Sequence, residues 1–279
     1  MAQDKYNSVW VSHSSMGDFL KCPRLYFLRN IYKSERGNKI NLITPALSLG
    51  QAVHGVLEGL SQYKAEERFL IPLENSFEEE WQKISGKKGG FKSEKEETES
   101  KERGKNMIAR VEKNPGPLIN KTIKIREGHN GMPPNFYLSE EENIVLCGRI
   151  DWLEYIEKDD SIRVVDFKTG KNKEEKGSLQ LPIYSLLLNA LQKRKVSGAS
   201  YWYVDKDDEP LLIDLPEIFE SKERVLSIAR KVKEARERLS FDCHYGKGGC
   251  FACKPFEKII RGEAEFVGLG EYNQEMYII

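Results

Sequence analysis

The runs IVLCGRIDWL (residues 144–153) and IRVVDFKTG (residues 162–170) decide the fold of this chain. Both are rich in β-branched and aromatic side chains, which favour extended strands. The polar sequence KDDS (residues 158–161) between them is typical of a turn. Together the three segments predict an antiparallel β-hairpin.

The predicted hairpin brings charged side chains together. If its turn has four residues, Glu157 opposes Ile162 and Asp151 faces Lys168. Asp166 lies two residues before Lys168, so both side chains project from the same face of the strand. The hairpin therefore predicts two carboxylates and one ammonium on one patch, an arrangement that a one-residue change in register would break.

These side chains suit metal-assisted phosphoryl chemistry. Two nearby aspartates repel each other unless a cation lies between them, and carboxylate oxygens suit Mg²⁺ or Mn²⁺. Such an ion lowers the pKa of a bound water, and a lysine beside it orients or deprotonates that water and stabilises the charge that develops on the phosphoryl group. The alternative is that Asp151 and Asp166 end strands at the surface and that Lys168 pairs with one of them.

Composition limits the class of protein. The chain has 279 residues, of which 39% are hydrophobic and 32% charged, so it can form one large domain with a core. It has no apolar run of about 18 residues, which excludes a membrane-spanning helix. Residues 1–6 lack the pattern of an export signal, and the five cysteines lack short disulfide spacing. We expect a soluble cytoplasmic protein with reduced thiols and no membrane partner.

Basic residues cluster locally, although 44 Lys and Arg residues balance 44 Asp and Glu residues overall. Residues 21–39 contain six basic residues and one acid, and residues 222–238 contain seven basic and three acidic ones. These stretches are either solvated helix faces or the walls of a groove for a phosphate backbone.

The remaining pattern predicts an α/β (α+β) chain with a small mixed central sheet flanked by helices. We expect a single domain over residues 1–279 that contains a charged, mostly helical insertion at residues 61–120, exposed at residues 86–105. Pro23 should kink the first helix near Cys22. Helices are predicted at residues 12–33, 45–60, 178–193 and 221–239, and further strands at residues 200–204 and 211–213.

Five short segments occur in an order that is typical of a known family. They are SHSS with FLKCPRLYF (12–15 and 19–27), LGQAVHGVLE (49–58), GRID (148–151), VVDFKTG (164–170) and QLPIY (180–184). This set resembles the PD-(D/E)XK nuclease superfamily, and in particular its RecB-like branch, which includes the AddB nuclease domain and Cas4-like exonucleases. The resemblance implies a restriction-endonuclease-like nuclease core.

The resemblance also assigns roles to individual residues. Asp151 and Asp166 would be metal ligands together with His54, and Lys168 would be the catalytic lysine. His54 has the alternative of a core histidine that donates to a backbone carbonyl. Glu58 lies on the same helical face as His54. It either orients the His54 imidazole as a hydrogen-bond partner or is a solvated or salt-bridged side chain.

Gln180 and Tyr184 lie four residues apart, on one face of a predicted helix. They match the Gln-x-x-x-Tyr signature of the RecB-like branch, which places them near the DNA and the active site. The alternatives are a polar residue on a helix face for Gln180 and a purely packing role for Tyr184.

Four cysteines lie at the two ends of the chain, at positions 22, 243, 250 and 253. Three cysteines within eleven residues of a reduced protein indicate a metal site, and four thiolates suit Zn²⁺ or a [4Fe–4S] cluster. Cys147 lies within a predicted strand, where it is most simply a small buried side chain.

Some RecB-like nucleases hold an iron–sulfur cluster with one N-terminal and three C-terminal cysteines, so the resemblance favours [4Fe–4S]. Their last cysteine usually follows the Cys-x2-Cys pair, but residues 256–261 contain none, and Cys243 precedes the pair instead. Zn²⁺ therefore stays as the alternative, with His244 as a further candidate ligand. Either group would clip the two chain ends together.

The leading hypothesis is a Mg²⁺- or Mn²⁺-dependent deoxyribonuclease, an exonuclease acting on single-stranded DNA or DNA ends in repair, recombination or CRISPR-type processing. The chain has no Gly-x-x-x-x-Gly-Lys-Ser/Thr loop, so unwinding would need a partner such as a helicase. The alternatives are a DNA-binding scaffold subunit in a repair, replication or CRISPR-adaptation complex and an iron–sulfur redox protein. Six aromatic residues are candidates for base stacking: Tyr26, Phe27, Tyr32, Tyr201, Trp202 and Tyr203. The alternative is that these side chains pack in the core.

Overall fold

A computed structural model describes residues 7–175 and 177–279. Residues 1–6, which the sequence predicts to carry no export signal, lie outside the described part. Within it the chain has eight α-helices: His13–Lys21 (α1), Pro23–Tyr26 (α2), Pro45–Gly59 (α3), Leu73–Lys83 (α4), Glu94–Lys113 (α5), Gln180–Leu191 (α6), Ile218–Glu237 (α7) and Lys254–Ile260 (α8).

Ten strands accompany the helices in the same residues: Val9–Val11 (β1), Ile40–Leu42 (β2), Asn135–Ser139 (β3), Ile144–Cys147 (β4), Trp152–Ile156 (β5), Ser161–Lys168 (β6), Lys195–Tyr203 (β7), Leu211–Ile213 (β8), Glu265–Leu269 (β9) and Glu275–Ile278 (β10). They form three small sheets with the orders β1-β4-β3, β2-β10-β9 and β5-β6-β7-β8. The mixed α/β class predicted from the sequence is therefore confirmed. No helix among the described residues has the length and apolarity needed to cross a membrane.

The four-stranded sheet positions the predicted charged patch. β5 and β6 are antiparallel, whereas β6 and β7 are parallel and are joined through α6. Such a crossover places the helix against one face of the sheet. Residues at the carboxyl end of β6 therefore face the first turn of α6, where loops and strand ends leave room for a site.

The register of the hairpin differs by two residues from the predicted one. Trp152 pairs with Val165 and Ile156 with Ser161, so Glu157 does not oppose Ile162. The turn occupies residues 157–160 because Asp160 adopts a left-handed conformation, with φ of 49°, and the chain re-enters the sheet at Ser161. A shift of two residues keeps every side chain on its predicted face.

The predicted strand at residues 144–153 is wrong as a single element. It forms β4 and β5, which belong to different sheets, with a break at residues 148–151. The Gly148 N–H donates to the Pro134 carbonyl, 3.1 Å away, which extends the β3–β4 pairing by one position before the chain leaves that sheet. A Cβ atom at Gly148 would lie 3.0 Å from the Leu187 side chain, so this position accommodates α6 closely.

The N-terminal helices follow the predicted pattern. The helix that begins after Ser12 ends at Lys21, and a second begins at Pro23, which confirms the kink near Cys22. Pro lacks the N–H that an interior helical position must donate, but it is well accommodated at a first turn. The same rule starts α3 at Pro45, where the Thr44 side chain accepts a hydrogen bond from the Leu47 N–H.

The charged segment 61–120 contributes to the core. α4 and α5 pack on α3, and buried Phe77, Trp81, Met107 and Ile108 join one apolar cluster with Trp152 of β5. The charged side chains of α5 lie on its opposite face, as expected for an amphipathic helix.

Arg68 connects this segment to the four-stranded sheet. Its side chain is 5% exposed and donates to the carbonyls of Leu60, Tyr63, Leu118 and Asn120 at 2.6–3.3 Å. The guanidinium carbon lies 4.8 Å from the centre of a Trp152 ring. A buried carbonyl without a hydrogen-bond donor destabilises the folded state. Because Arg68 donates to four such carbonyls, it stabilises the irregular backbone next to β5.

We expect Arg68→Met to lower the free energy of unfolding by about 3 kcal/mol, since the buried carbonyls would lose a charged donor. Chemical denaturation would measure the loss. Arg126→Met, a change at an exposed arginine, is the control and should alter stability by less than about 0.5 kcal/mol. Equal stability of both variants would contradict the role given to Arg68.

Candidate metal and catalytic site

Asp166 is the most buried carboxylate of the predicted patch, with 1% of the residue exposed. It lies on β6, and its Oδ1 accepts hydrogen bonds from Gln180 Nε2 at 2.6 Å and from the Tyr184 hydroxyl at 2.8 Å. Its Oδ2 is also buried and pairs with the ammonium group of Lys168, whose Nζ lies 2.8 Å away. Two donors of α6 therefore fix one oxygen, and a lysine of the same strand faces the other.

Asp151 lies directly before β5 and beside Asp166 rather than opposite Lys168, as the shifted register requires. Its Oδ2 accepts a hydrogen bond of 2.9 Å from the Phe167 N–H. Burial, followed by the negative charge of Asp166, raises the pKa of Asp151 to about 7. A buried carboxylate whose pKa is raised by burial and by a neighbouring negative charge is a site where a divalent cation can replace the proton.

His54 lies on α3 and points at Asp151. Its Nδ1 is 2.9 Å from Glu58 Oε1 and 3.5 Å from Asp151 Oδ2. Burial lowers the pKa of His54, but the hydrogen bond that its ring donates to Glu58 and the charges of Asp151 and Asp166 outweigh burial and raise the pKa to about 9. A buried core histidine bonded to a backbone carbonyl, the alternative reading, does not describe these contacts.

The ligand atoms of His54, Glu58 and Asp151 all lie within 4.8 Å of one another, so together they could hold a metal ion. Carboxylate oxygens suit Mg²⁺ and Mn²⁺, and an imidazole nitrogen is a ligand that first-row transition metals accept. Asp166 Oδ2 lies beside this group and is paired with Lys168, so an ion there would share this oxygen with the lysine. The side chains present therefore fit a divalent metal.

Lys168, the last residue of β6, lies between two carboxylates. Its Nζ is 2.8 Å from Asp166 Oδ2 and 3.0 Å from Glu174 Oε2, and it donates to Gln180 Oε1 at 2.6 Å. It also lies 4.9 Å from the centre of the Tyr201 ring. Burial lowers the pKa of Lys168, but the charges of Asp166 and Glu174 outweigh it and raise that pKa.

Gln180 and Tyr184 both lie in α6, and the Gln180 amide also donates to the Tyr184 hydroxyl at 3.1 Å. Burial and the charge of Asp166 raise the pKa of Tyr184 well above its usual value, so the hydroxyl keeps its proton and donates it. Neither side chain is exposed or purely packing, because both hold Asp166. The first two turns of α6 thus position the carboxylate.

Glu174 is a site residue that the sequence did not reveal. It lies in the loop between β6 and α6, and its N–H donates to the Tyr203 hydroxyl at 2.9 Å. Its carboxylate reaches Lys168 from the side opposite to β5. It occurs in the polar run KNKEEK, where nothing in the pattern distinguishes one acid from the next, so no sequence signal could have identified it.

An open cleft of about 610 Å³ lies beside this site. Its lining includes the acidic residues Glu58, Glu127 and Asp151 and the exposed basic residues Lys124 and Arg149. The two basic side chains offer contacts for a negatively charged substrate in the same cleft as Asp151.

Several residues of the two basic stretches form ion pairs within the protein. Arg29 lies 2.8 Å from Asp18, and Arg230 lies 2.7 Å from Glu142. Burial, followed by the nearby charges of Lys33 and Arg236, lowers the pKa of Lys39, so residues of the two stretches lie close together there. A groove for a phosphate backbone stays a prediction.

Most of the aromatic residues considered for base stacking are buried. Tyr26, Tyr201, Trp202 and Tyr203 are between 0% and 6% exposed, which favours the core reading for them. Tyr201 and Tyr203 instead border the site through their contacts with Lys168 and Glu174.

Four cysteines form a second cluster away from the carboxylates. Cys22, at the junction of α1 and α2, joins Cys243, Cys250 and Cys253, and all four sulfur atoms lie within 4.8 Å of one another. Burial would raise the pKa of Cys250, but backbone N–H groups of Cys253 and Ala252 lower it to about 7. The structure therefore brings together the four positions predicted to hold a metal group.

The other two candidates lie outside this cluster. His244 is exposed and does not contribute to the group of clustered ligand atoms among the described residues. Cys147 lies in β4, where its thiol donates to the Val11 carbonyl at 3.5 Å, and burial raises its pKa to about 11. Its predicted place in a strand is confirmed.

Protons should compete with a metal at the carboxylate site. Without metal the pKa of His54 is about 9 and that of Asp151 about 7, so a metal displaces one proton between these values and two below them. Mn²⁺ affinity should therefore fall about tenfold per pH unit from about pH 9 to pH 7, and more steeply below. Isothermal titration calorimetry would measure this.

Asp151→Asn should bind Mn²⁺ weakly throughout that range, since it removes one ligand. Glu263→Gln changes an exposed carboxylate that pairs with Arg261 and should bind like the unmodified protein. An Mn²⁺ affinity independent of pH, or unchanged in Asp151→Asn, would contradict the site.

Comparison with known proteins agrees with this geometry. A family model of the PD-(D/E)XK nuclease superfamily matches residues 10–255, a range that contains both clusters. The match does not distinguish branches of the superfamily, so the RecB-like branch stays a prediction. No curated protein matches the chain. Because the matched range covers most of its length, the chain belongs to the PD-(D/E)XK nuclease superfamily.

Proposed function

We propose that this protein is a metal-dependent deoxyribonuclease that hydrolyses phosphodiester bonds at the Asp166 site. The observation that carries the proposal is that ligand atoms of His54, Glu58 and Asp151 lie within 4.8 Å of one another, next to the buried ion pair of Asp166 and Lys168 at 2.8 Å. Membership of the nuclease superfamily supports the same conclusion.

His54, Asp151 and Asp166 would hold the ion, which we propose to be Mg²⁺ or Mn²⁺, and Glu58 lies close enough to assist. A divalent ion bound there would lower the pKa of a water and offset negative charge on the phosphate. The protein itself contributes hydrogen-bond donors and the positive charge of a lysine ammonium group, both at fixed positions.

Lys168 contributes a positive charge at a fixed position. Two carboxylates and the Gln180 carbonyl oxygen hold its ammonium group, so it does not need to reorganise when charge develops on a phosphate beside it. Since Gln180 contacts both Lys168 and Asp166, it fixes the distance between the cation and the metal ligand. Tyr184 holds the same carboxylate from the next turn of α6.

The cleft beside Asp151 supports an extended polyanion as substrate. Lys124 and Arg149 line the same cleft as Asp151 and can contact phosphates of a bound strand. We propose single-stranded DNA or DNA ends, because a strand that must reach a half-buried site enters most easily when unpaired. A role in repair, recombination or CRISPR-type processing, beside a helicase or similar partner, is proposed on the RecB-like resemblance alone.

Asp166→Asn and Lys168→Ala should each lower cleavage of labelled single-stranded DNA by about 1000-fold or more, because each removes a charge that acts on the reacting phosphate. Activity with Mg²⁺ or Mn²⁺ would be measured together with DNA affinity and circular dichroism. Lys173→Ala changes an exposed lysine in the loop between β6 and α6 and is the matched control. This variant should cleave DNA like the unmodified protein.

Full cleavage by both site variants would refute the proposed nuclease site. DNA binding without any cleavage by the unmodified protein, in either metal, would favour a DNA-binding scaffold instead. The scaffold is the weaker candidate, since binding alone does not need a group of metal-ligating side chains beside a buried lysine.

End dependence can be tested with three substrates: linear single strands labelled at one end, linear duplexes and circular single strands. An exonuclease should shorten the linear strands and leave the circles intact. Cleavage of circles as fast as of linear strands would contradict the exonuclease proposal while leaving the nuclease assignment in place. Parallel reactions on RNA of the same sequence would test the preference for DNA.

A further inference from the structure

The spacing of the four clustered thiols bears on which metal group they hold. Every pair of sulfur atoms lies within 4.8 Å, and the Sγ atoms of Cys250 and Cys253 are 3.7 Å apart. In a tetrahedral zinc site with Zn–S bonds of about 2.3 Å, neighbouring sulfurs are about 3.8 Å apart. The observed spacing therefore matches a single ion.

A [4Fe–4S] cluster requires a wider arrangement. Each cysteine binds a different iron at alternate corners of a cube, so two sulfur atoms are separated by an iron–iron distance in addition to two iron–sulfur bonds. The four sulfurs must then stand farther apart than they do around one ion, and the 4.8 Å limit leaves no room for such a cube between them.

The packing around the thiols does not provide that room either. Cys22, Cys250 and Cys253 are buried among apolar side chains such as Leu28, and a Cβ atom at Gly249 would lie 3.1 Å from Cys253 Sγ. A cleft of about 580 Å³ borders Cys243 and Cys253, but Cys22 and Cys250 do not line it, so it lies beside the four sulfurs rather than between them.

We propose that Cys22, Cys243, Cys250 and Cys253 hold one structural zinc ion and not an iron–sulfur cluster. The Cys250 N–H donates to Cys253 Sγ at 3.2 Å, which stabilises a thiolate there independently of the metal. The ion joins segments about 220 residues apart in the sequence, so it removes loop-closure entropy from the unfolded chain.

Metal analysis of protein purified without oxygen tests the proposal. Elemental analysis, acid-labile sulfide and the visible spectrum would be measured on the same sample, from cells supplied with both iron and zinc. We expect one tightly held zinc per chain, no sulfide and no absorbance near 400 nm. Iron with equivalent sulfide, iron without sulfide, or a metal-free folded protein would each overturn the zinc assignment.

A matched pair of variants assigns the ion to this cluster. Cys243→Ser removes the least buried ligand and should lose the zinc and lower the melting temperature, whereas Cys147→Ser changes the fifth cysteine and should retain both. If Cys243→Ser does not fold, replacement of zinc by Co²⁺ in the unmodified protein gives a second measurement. Cobalt should then show the charge-transfer and d–d bands of a tetrahedral four-thiolate site, and a spectrum without thiolate bands would contradict the assignment.

Discussion

The contacts of Asp166 are the constraint on which the rest of this structure depends. A buried carboxylate is costly unless its charge is compensated, and here two neutral donors from α6 satisfy one oxygen while a lysine two residues along β6 faces the other. These contacts of Asp166 require that β6, α6 and the crossover between them keep their relative positions. The parallel pairing of β6 with β7 and the packing of α6 on the sheet provide that rigidity.

The surrounding elements serve the same arrangement. α3 brings His54 and Glu58 to Asp151, and the segment 61–120 buries the far side of α3 through Phe77 and Met107. The second cluster joins the N-terminal helices to the C-terminal segment at a distance from this chemistry, where β2 also pairs with β10. One metal site is therefore suited to reaction, and the other to holding the chain ends together.

Much of this could be predicted from the sequence, because local patterns carry it. β-branched runs identified the hairpin, Pro23 and Pro45 marked helix starts, and the i, i+4 spacing of Gln180 and Tyr184 placed both on one face. The predicted register of the hairpin was wrong by two residues. This error left each side chain of the charged patch on its predicted face of the sheet.

The remaining features depend on tertiary contacts that no local pattern records. The division of residues 144–153 between two sheets follows from close packing of Gly148 on Leu187, far along the chain. Glu174 acquires its place only when its loop folds over Lys168, and the sheet of β2, β9 and β10 forms from both chain ends. The distances between the four thiols are likewise set by the tertiary fold. The spacing of the cysteines in the sequence therefore does not distinguish a zinc ion from an iron–sulfur cluster.

The most direct test of the central claim is a crystal structure of the protein soaked in Mn²⁺, with anomalous diffraction used to locate the metal. We expect an anomalous peak within coordination distance of Asp151, His54 and Asp166. A peak elsewhere, or no peak beside these three side chains at a saturating Mn²⁺ concentration, would contradict the proposed site.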